Sequence, residues 1–292
     1  MVKDTEWRTS NTFKMTITIC TAIHGREKLT DLFILYHTAL LKELYRRNGN
    51  NVHVYFKIAL SRDDPQANSN SVLLNNLHTI DTKLVNNNPI GNKWNEAIKY
   101  ACNDIAVPIH RGHTYKLPGN YTLILGSDDF VKIDFFDDLI NNHESYYTSP
   151  CVYPGNFICT DLNKSCLIQN DKTNMYFGSG RISESLYLKE IFNKIGYVIN
   201  PGLDIGLDTS FKNNFRKEFG DGCYTINSKQ TVYSLKKDTC LNSVDKLIKA
   251  NPDWEAGTKP VLEEFEKSFP FLLEENHEIA KQQARSFFNK TS

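Results

Sequence analysis

The sequence predicts an α/β protein whose mainly parallel sheet is flanked by helices. Short β-prone stretches alternate with longer segments that carry apolar residues at helical spacing. Such alternation is typical of parallel sheets, because a connection between parallel strands usually contains a helix. The length of 292 residues, with 40% hydrophobic residues, suits one large domain or one domain with an appendage. We divide the chain into a flexible N-terminal tail (1–15), a main domain (16–240) and a helical C-terminal extension (241–292).

The predicted elements follow one another in a regular order. Leu32, Tyr36, Leu40 and Leu44 recur at a spacing of four and predict the first long helix. Stretches rich in β-branched and aromatic residues, bounded by turn residues, predict the strands. The predicted strands are 16–23, 52–60, 79–85, 121–125 and two within 151–169, and the predicted helices are 29–47, 93–103, 135–142, 182–195 and 209–219.

Composition and charge restrict the environment and the partners of the protein. Lys plus Arg equals Asp plus Glu, at 34 each, so the net charge is zero and no overall basic field attracts nucleic acid. The seven cysteines are odd in number and form no Cys-x-x-Cys, which favours a reducing, cytoplasmic setting over a disulfide framework or a zinc ribbon. We expect no signal peptide, and no run approaches the roughly 20 apolar residues of a membrane span.

Two adjacent acids follow a predicted buried strand near the middle of the chain. The apolar run 121–125 ends in Gly126 and Ser127 and then in Asp128 and Asp129. Acids at the carboxyl end of a strand lie where open α/β sheets bind their ligands. Two carboxylates there can hold a hard divalent cation, Mn²⁺ or Mg²⁺, which in turn holds phosphates. The pattern favours a nucleotide-sugar enzyme, and the alternative is a strand that runs into an acidic turn.

Charged side chains also follow the first two predicted strands. Arg26 ends the turn after the first strand, where it could contact a phosphate or a ribose. Asp63 follows the second strand, where a carboxylate could accept hydrogen bonds from a base or a ribose. Because the carboxyl ends of parallel strands lie at one edge of the sheet, both positions face the same ligand region. The alternatives are a tight turn with a solvated arginine and an ordinary polar loop.

Two glycine-containing segments precede predicted helices. Gly91 allows close backbone approach at a helix N-terminus, which favours anions, and Lys93 adds a positive charge there. Arg181 ends a glycine-rich segment, 178–181, that we expect to open the helix 182–195 and that could serve a substrate. The alternative for both segments is an ordinary helix entry without a ligand.

Two late acids are candidates for a general base. Asp204 and Asp208 lie four residues apart, around Gly206, at a predicted junction between a loop and a helix. A carboxylate at this place could take the proton from an acceptor hydroxyl. The alternative is that Asp208, directly before Thr209, only caps the helix N-terminus.

The order of these motifs resembles a GT-A fold glycosyltransferase of the large inverting family two type. The order runs from the strand with Arg26 to the strand with Asp63, the helix entry at Gly91, the acidic strand and the late Asp208. The resemblance covers residues 16–220, about three quarters of the chain. It implies a Rossmann-like GT-A sheet flanked by helices. The Asn- and Lys-rich chain is also similar to soluble viral and phage glycosyltransferases, which act in the host cytoplasm.

The resemblance implies a role for each matching residue. Asp128 and Asp129 match the family's Asp-x-Asp region, with Asp129 as the contact to Mn²⁺ or Mg²⁺ and Asp128 beside it near the ribose or the sugar. Asp208 falls where the family has its catalytic base, with Asp204 as the second candidate. The other donor-binding candidates are Ala22, Arg26, Asp63, Gly91, Lys93, Asn95 and Arg181.

Four departures from the family pattern bear on the catalytic base and the acceptor. Leu207 precedes Asp208 in place of the usual Glu, and Ser127 replaces an acid that is often present. The loop 106–120 is longer than usual. No Gln-x-x-Arg-Trp follows, which argues against a processive polysaccharide synthase.

These features predict a metal-dependent enzyme that moves a sugar from a nucleotide sugar, most simply of the UDP type, to an acceptor hydroxyl with inversion. The predicted acceptor is either a glycan or a hydroxymethylated base in phage-type DNA, with or without a first glucose. One alternative is a sugar-1-phosphate nucleotidyltransferase, which usually has a basic glycine-rich loop directly after the first strand. The other is a glycan-binding module without catalytic activity.

Overall fold

The computed structural model contains a mixed sheet of nine strands with helices on both faces. It describes residues 15–25, 27–49, 52–64, 80–103, 120–146, 149–161, 164–170, 179–236 and 243–254. The strands are β1 (Met15–Ile23), β2 (Val52–Ser61), β3 (Ile80–Val85), β4 (Asn120–Ile124), β5 (Asp129–Val131), β6 (Cys151–Thr160), β7 (Ser165–Gln169), β8 (Arg181–Glu184) and β9 (Tyr224–Leu235). The helices are α1 (Glu27–Asn48), α2 (Ile90–Asn103), α3 (Ile133–Tyr146), α4 (Ser185–Ile195), α5 (Leu207–Phe219) and α6 (Val244–Ala250).

The first four strands form the parallel part of the sheet. β1 pairs in parallel with β2 on one side and with β4 on the other, and β2 pairs in parallel with β3. Their carboxyl ends, at Ile23, Ser61, Val85 and Ile124, therefore lie at one edge of the sheet, which is the ligand-binding edge of α/β proteins. The predicted α/β class, a sheet flanked by helices, is confirmed.

The later strands extend this sheet in mixed directions. β8 pairs antiparallel with β4, and β6, β9 and β5 follow in that order, with β7 paired to β6. β5 is antiparallel to β9, and Asp129 lies opposite Ser234 in this pair. The end of β9 is therefore brought next to the acids that follow β4.

Helices on the two faces create two apolar cores. α1 and α3 contribute Leu32 and Phe136 to the first core. α2, α4 and α5 contribute Ala97, Leu188 and Phe215 to the second. Burial of apolar surface is the main favourable term in folding, so these cores hold the ligand-binding edge of the sheet in place.

The predicted helix 182–195 is wrong in its first part. Residues Arg181–Glu184 form β8, and the helix begins at Ser185. The stretch pairs antiparallel with β4, and this tertiary pairing overrides its local helical pattern. Gly180, at φ 86°, turns the chain into β8, and its N–H donates to the Ile124 carbonyl at 2.8 Å.

Strands β5 and β9 are not predicted from the sequence. β5 has only three residues, and polar residues 227–230 interrupt the apolar pattern of β9 where the β6 register shifts. The predicted tail lies almost wholly outside the described residues, as does most of the predicted extension; α6 belongs to the part of the extension that is described. In the described chain, no helix is long and apolar enough to cross a membrane. The six cysteines described there are buried free thiols.

Candidate active site

A pocket of about 190 Å³ lies at the carboxyl end of β4. Its walls come from the turn after β4, the start of β8, the first turn of α5 and the end of β9. Four residues predicted to form the site, Asp128, Asp129, Arg181 and Asp208, line it together. The other lining residues are Trp94, Ile124, Gly126, Phe157, Ser179, Ile199, Leu207, Ser234 and Lys236.

The turn after β4 presents both predicted metal-binding acids to the pocket. The Asp129 N–H donates to the Gly126 carbonyl at 3.1 Å, and the Gly126 N–H donates to Ser179 Oγ at 2.6 Å. A Cβ at Gly126 would lie 3.1 Å from an Asp128 carboxylate oxygen and closer still to Asp129. A side chain at this position would therefore compete with the two carboxylates for space.

Asp129 is held in a position that is unfavourable for its own charge. The side chain is almost buried, with 5% of the residue exposed, and the Ser234 hydroxyl donates to it. Burial and then the negative charge of Asp128 raise the pKa of Asp129, although Lys236 and the two serine hydroxyls act in the opposite direction. A positive charge bound between the two acids would relieve this repulsion.

The chemistry of the acid pair fits a hard divalent cation. Carboxylate oxygens are the ligands that Mg²⁺ and similar cations prefer. Across the described ranges, no group of three or more His, Cys, Asp or Glu side chains could enclose a metal ion. Asp128 and Asp129 would thus be the protein's carboxylate ligands, and phosphates and water would complete a shell of about six oxygens. Metal binding by this pair stays a prediction.

A lysine that is not singled out by the sequence contacts the same acids. Lys236 directly follows β9, and its Nζ donates to Asp128 Oδ2 at 2.9 Å. The Leu235 N–H donates to the Asp128 carbonyl at 2.9 Å, and the Lys236 N–H donates to the Thr160 carbonyl at 2.8 Å. These two hydrogen bonds therefore fix the position of the backbone at Lys236. The sequence carries no signal for this contact, because it depends on the pairing of β5 with β9.

Arg181 and Asp208 form an ion pair in the wall of the pocket. Arg181 Nη1 donates to Asp208 Oδ1 at 2.5 Å, with 5% of the arginine side chain exposed and 45% of the aspartate side chain. The guanidinium also lies 4.4 Å from the centre of the Phe211 ring. Burial alone would lower the pKa of Arg181, but Asp208 and Tyr153 outweigh it, so the pKa is raised. Arg181 therefore stays charged and holds the Asp208 carboxylate.

Asp208 is not the N-cap of its helix. α5 begins at Leu207, and its N-cap is Gly206, at φ 72°. Asp208 instead lies in the first turn, where a negative charge interacts favourably with the helix dipole. Its partial exposure leaves the carboxylate accessible from the pocket.

Asn95 connects α2 to the segment that leads to α5. Its Oδ1 accepts hydrogen bonds from the N–H groups of Val198 and Ile199, both at 2.9 Å. Its Nδ2 donates to the Ile199 carbonyl at 2.5 Å. The hydrogen bonds of this buried amide thus hold two parts of the protein together. Contact between Asn95 and the nucleotide-sugar donor stays a prediction.

Gly91 and Asp204 join the same two parts of the chain. The Gly91 N–H donates to the Leu203 carbonyl at 2.7 Å, and Asp204 Oδ1 accepts from the Ile90 N–H at 2.9 Å. Close backbone approach, the reason for expecting a phosphate at Gly91, is here an approach to Asn200 and Leu203. Asp204 caps the start of α2, which differs from the role of a general base. Donor binding at Gly91 and the role of Asp204 as a base stay predictions.

The Lys93 ammonium lies at the carboxyl ends of β1 and β2. The residue is buried, and its Nζ donates to the Ile23 carbonyl at 2.7 Å, to Ser61 Oγ at 2.5 Å and to Asn87 Oδ1 at 3.1 Å. Burial lowers the pKa of Lys93 to about 8. The ammonium thus joins the ends of β1 and β2, and contact with the donor stays a prediction.

The remaining candidates lie at the ends of the first two strands. Asp63 is solvent-exposed, whereas the neighbouring Asp64 is buried and accepts from the Gly25 N–H at 2.9 Å. Ala22 is half-buried in β1 and packs against the second core. Arg26 lies outside the described residues. Nucleotide contacts by Ala22, Arg26 and Asp63 stay predictions.

Comparison with known proteins identifies the fold. No protein-family model and no curated protein match the sequence. Similar solved structures include S. aureus TarS 1-349 in complex with UDP, at 14% identity and a TM-score of 0.50 over 76% of this chain and 61% of that one. A second TarS 1-349 structure is 12% identical, with a TM-score of 0.52 over 94% and 71%. A structure of S. aureus TarS is 14% identical, with a TM-score of 0.52 over 88% and 44%.

These neighbours have the GT-A glycosyltransferase fold, and the predicted GT-A fold of this chain is thereby confirmed. The chain spans less than two thirds of the UDP-bound TarS chain, at 61% of its length. At 12–14% identity the likeness concerns the fold alone.

Proposed function

We propose that this protein is a glycosyltransferase that moves a sugar from a nucleotide sugar, of the UDP type, to an acceptor hydroxyl with inversion. One observation carries the proposal: the Asp128–Asp129 pair and Asp208 line the same pocket at the carboxyl end of β4. The GT-A fold supports it, and so does the UDP bound to TarS, a neighbour in fold. The pocket thus combines groups suited to a diphosphate with a separate carboxylate suited to a proton.

The donor binds with its diphosphate towards Asp128 and Asp129. Mn²⁺ or Mg²⁺ held by these carboxylates would neutralise the charge that develops on the departing diphosphate. Ser179 and Ser234 fix the Asp129 end of this site through their hydroxyl groups. Burial and then the negative charge of Asp128 raise the pKa of Asp129, and a positively charged ligand beside the two acids would offset both effects, which supports the assignment.

Asp208 acts on the acceptor. Its carboxylate takes the proton of the acceptor hydroxyl while that oxygen attacks the anomeric carbon, and the bond from this carbon to the diphosphate oxygen breaks. The nucleoside diphosphate leaves with the bonding electron pair, and attack from the opposite face inverts the anomeric centre. Asp208 is the better candidate than Asp204, because Asp208 is among the residues that line this pocket and Asp204 is not.

The acceptor is either a glycan or a hydroxymethylated base in DNA. The zero net charge gives DNA no general attraction, so DNA would require a local basic surface. Both acceptor classes present a hydroxyl to the same base. The test of function therefore includes both classes.

A donor screen tests the proposal. The protein is incubated with a panel of UDP- and GDP-sugars and Mn²⁺, first alone and then with glycans or with DNA that contains hydroxymethylated bases, and free nucleoside diphosphate is measured. We expect release from one donor, increased by one acceptor and lost on chelation. Release of pyrophosphate from a nucleoside triphosphate and a sugar 1-phosphate would identify a nucleotidyltransferase instead. Glycan binding without turnover of any donor would identify a binding module.

A further inference from the structure

Two positively charged side chains line the described pocket, and they have different partners. Arg181 is buried and pairs with Asp208 at 2.5 Å. Lys236 pairs with Asp128 at 2.9 Å, with 12% of its side chain exposed and 14% of the aspartate side chain. Arg181 thus pairs with Asp208, the proposed base for the acceptor hydroxyl. Lys236 pairs with Asp128, one of the two acids proposed to lie beside the diphosphate.

The backbone sets where the Lys236 side chain starts, and the residue lines the pocket. The Lys236 N–H is bonded to the Thr160 carbonyl, which fixes the start of the side chain. Beyond that point lysine has a flexible four-carbon stem that ends in a compact charge with three donors. The ammonium can therefore reach a ligand oxygen in the pocket without a change in the fold.

A diphosphate that binds beside Asp128 and Asp129 is repelled by them unless a positive charge lies nearby. Asp128 and Asp129 both line the pocket, and a nucleoside diphosphate adds further negative charge beside them. A bound phosphate would face two carboxylates, and the Lys236 ammonium is a charge of opposite sign that lies 2.9 Å from Asp128.

We propose that Lys236 is a diphosphate-binding residue of the donor site, which pairs with Asp128 in the free protein and with a phosphate oxygen when the donor is bound. The proposal rests on the proposed function and adds to it a positive charge that belongs to the protein. A divalent cation bound by Asp128 and Lys236 bound to phosphate are compatible, because the cation takes the place of the ammonium at the carboxylate. Without a donor, the cation and Lys236 compete for Asp128.

Calorimetry of ligand binding tests the proposal without measuring turnover. UDP and inorganic pyrophosphate are titrated into the full chain with EDTA and, separately, with Mn²⁺. Lys236→Met keeps most of the stem and removes the charge, Lys236→Arg restores a charge, and Lys229→Met is the matched control on the exposed part of β9. A charge-assisted hydrogen bond corresponds to a change in Kd of about 10- to 100-fold.

We expect the wild type and Lys229→Met to bind both ligands in EDTA. We expect Lys236→Met to bind them about 10- to 100-fold more weakly, and Lys236→Arg to recover most of the loss. In the absence of nucleotide, Lys236→Met should bind Mn²⁺ more tightly than the wild type, because Asp128 has lost its internal partner. Thermal unfolding confirms that each variant is folded, and Lys236→Gln replaces Lys236→Met if the latter is not.

Three results would overturn the proposal in distinguishable ways. Equal affinity of the wild type and the charge-removing variant in EDTA shows that Lys236 does not bind phosphate. If the wild type binds only with Mn²⁺, the comparison is made with Mn²⁺, and equal affinity of the wild type and Lys236→Met there rejects the inference and leaves the proposed function standing. No binding of UDP or pyrophosphate under either condition rejects the proposed function together with the inference.

Discussion

Arg181 and Asp208 form the ion pair that joins the start of β8 to the first turn of α5, with 2.5 Å between Nη1 and Oδ1. The arginine is buried, and Phe211 from the same helix packs against its guanidinium. The carboxylate assigned as base is thus held from inside the domain. Its orientation depends on the packing of α5 against the sheet as well as on the loop before it.

Asp208→Asn should abolish transfer while donor binding survives. Loss of a general base typically costs about 10²–10⁴-fold in rate, and the base acts on the acceptor hydroxyl. Asp204→Asn is the matched control, because asparagine can still accept from the Ile90 N–H. Turnover with the identified acceptor and calorimetry with UDP measure the two effects. Transfer that survives in Asp208→Asn and disappears in Asp204→Asn would make Asp204 the base.

The same substitution should also lower stability by a measurable amount. Asp208→Asn removes the carboxylate that pairs with buried Arg181. Breaking a fully buried pair costs about 3–5 kcal/mol, and the cost here is smaller because Asp208 is 45% exposed and solvent screens its charge. Chemical denaturation of the wild type and the variant measures this difference.

Asp129→Asn should remove the dependence of donor binding on Mn²⁺ and leave the protein folded. The amide has the size of the carboxylate but binds a hard cation poorly. The substitution also removes a buried carboxylate. Burial and the negative charge of Asp128 both disfavour the ionised form of this group and raise its pKa, so the free energy of unfolding should not fall. Asp245→Asn, at an exposed acid on α6, is the control. A UDP titration that responds to Mn²⁺ as strongly as in the wild type would contradict the metal assignment.

Gly91→Ala should destabilise the protein and weaken transfer together. The added Cβ would overlap the Asn200 carbonyl oxygen and approach the Leu203 carbonyl oxygen to 3.0 Å, and backbone atoms cannot easily move away. Overpacking of this kind costs about 1–3 kcal/mol. Gly222→Ala is the control, because nothing lies within 4 Å of its added Cβ. Equal midpoints of denaturation for the two variants would show that the contact with residues 200–203 is not tight.

Protonation of His37 in the unfolded chain should make the protein less stable in mild acid. Burial lowers the pKa of His37 to about 3, with a smaller opposing effect from the Phe33 carbonyl, whereas an unfolded histidine titrates near 6.5. The unfolded chain therefore binds the extra proton first, and stability that is present above pH 6.5 is lost as the pH falls towards 3. Between pH 7 and pH 5 the loss is about 2 kcal/mol.

Replacement of the histidine isolates this effect. His37 packs against the rings of Phe33, Phe56 and Phe130, so His37→Phe keeps an aromatic ring in the first core. Urea denaturation at pH 7 and pH 5 should show a smaller change for His37→Phe than for the wild type. The same change in both proteins would mean that His37 is protonated in the folded state.

The parallel half of the fold was predictable because its signals are local. Leu32, Tyr36, Leu40 and Leu44 mark α1 by their spacing alone, and all four are buried in the first core. β1 and β2 are largely apolar and buried runs, which is the pattern of parallel strands covered on both faces. The acids after β4 were also predictable as candidates, since the end of such a strand is the ligand-binding edge of the sheet.

The partners of those acids were decided by the tertiary structure. Lys236 reaches Asp128 only because β9 pairs with β5, and Arg181 reaches Asp208 from β8, which the local pattern marks as helix. These contacts join residues 108 and 27 positions apart, and no short motif contains both members of either pair.

The helix entry at Gly91 also shows that residue types alone do not reveal what each residue contacts. The sequence alone marked Gly91 and Asn95, at one helix entry, as candidates for donor binding and Asp204, in a distant segment, as a candidate base. The fold gives their hydrogen-bonding groups backbone partners in the chain itself. A buried polar group needs a partner, but its type does not reveal whether that partner is a ligand or the backbone. Local spacing determines helices, strands and candidate acids, whereas long-range pairing of the chain determines what each polar group contacts.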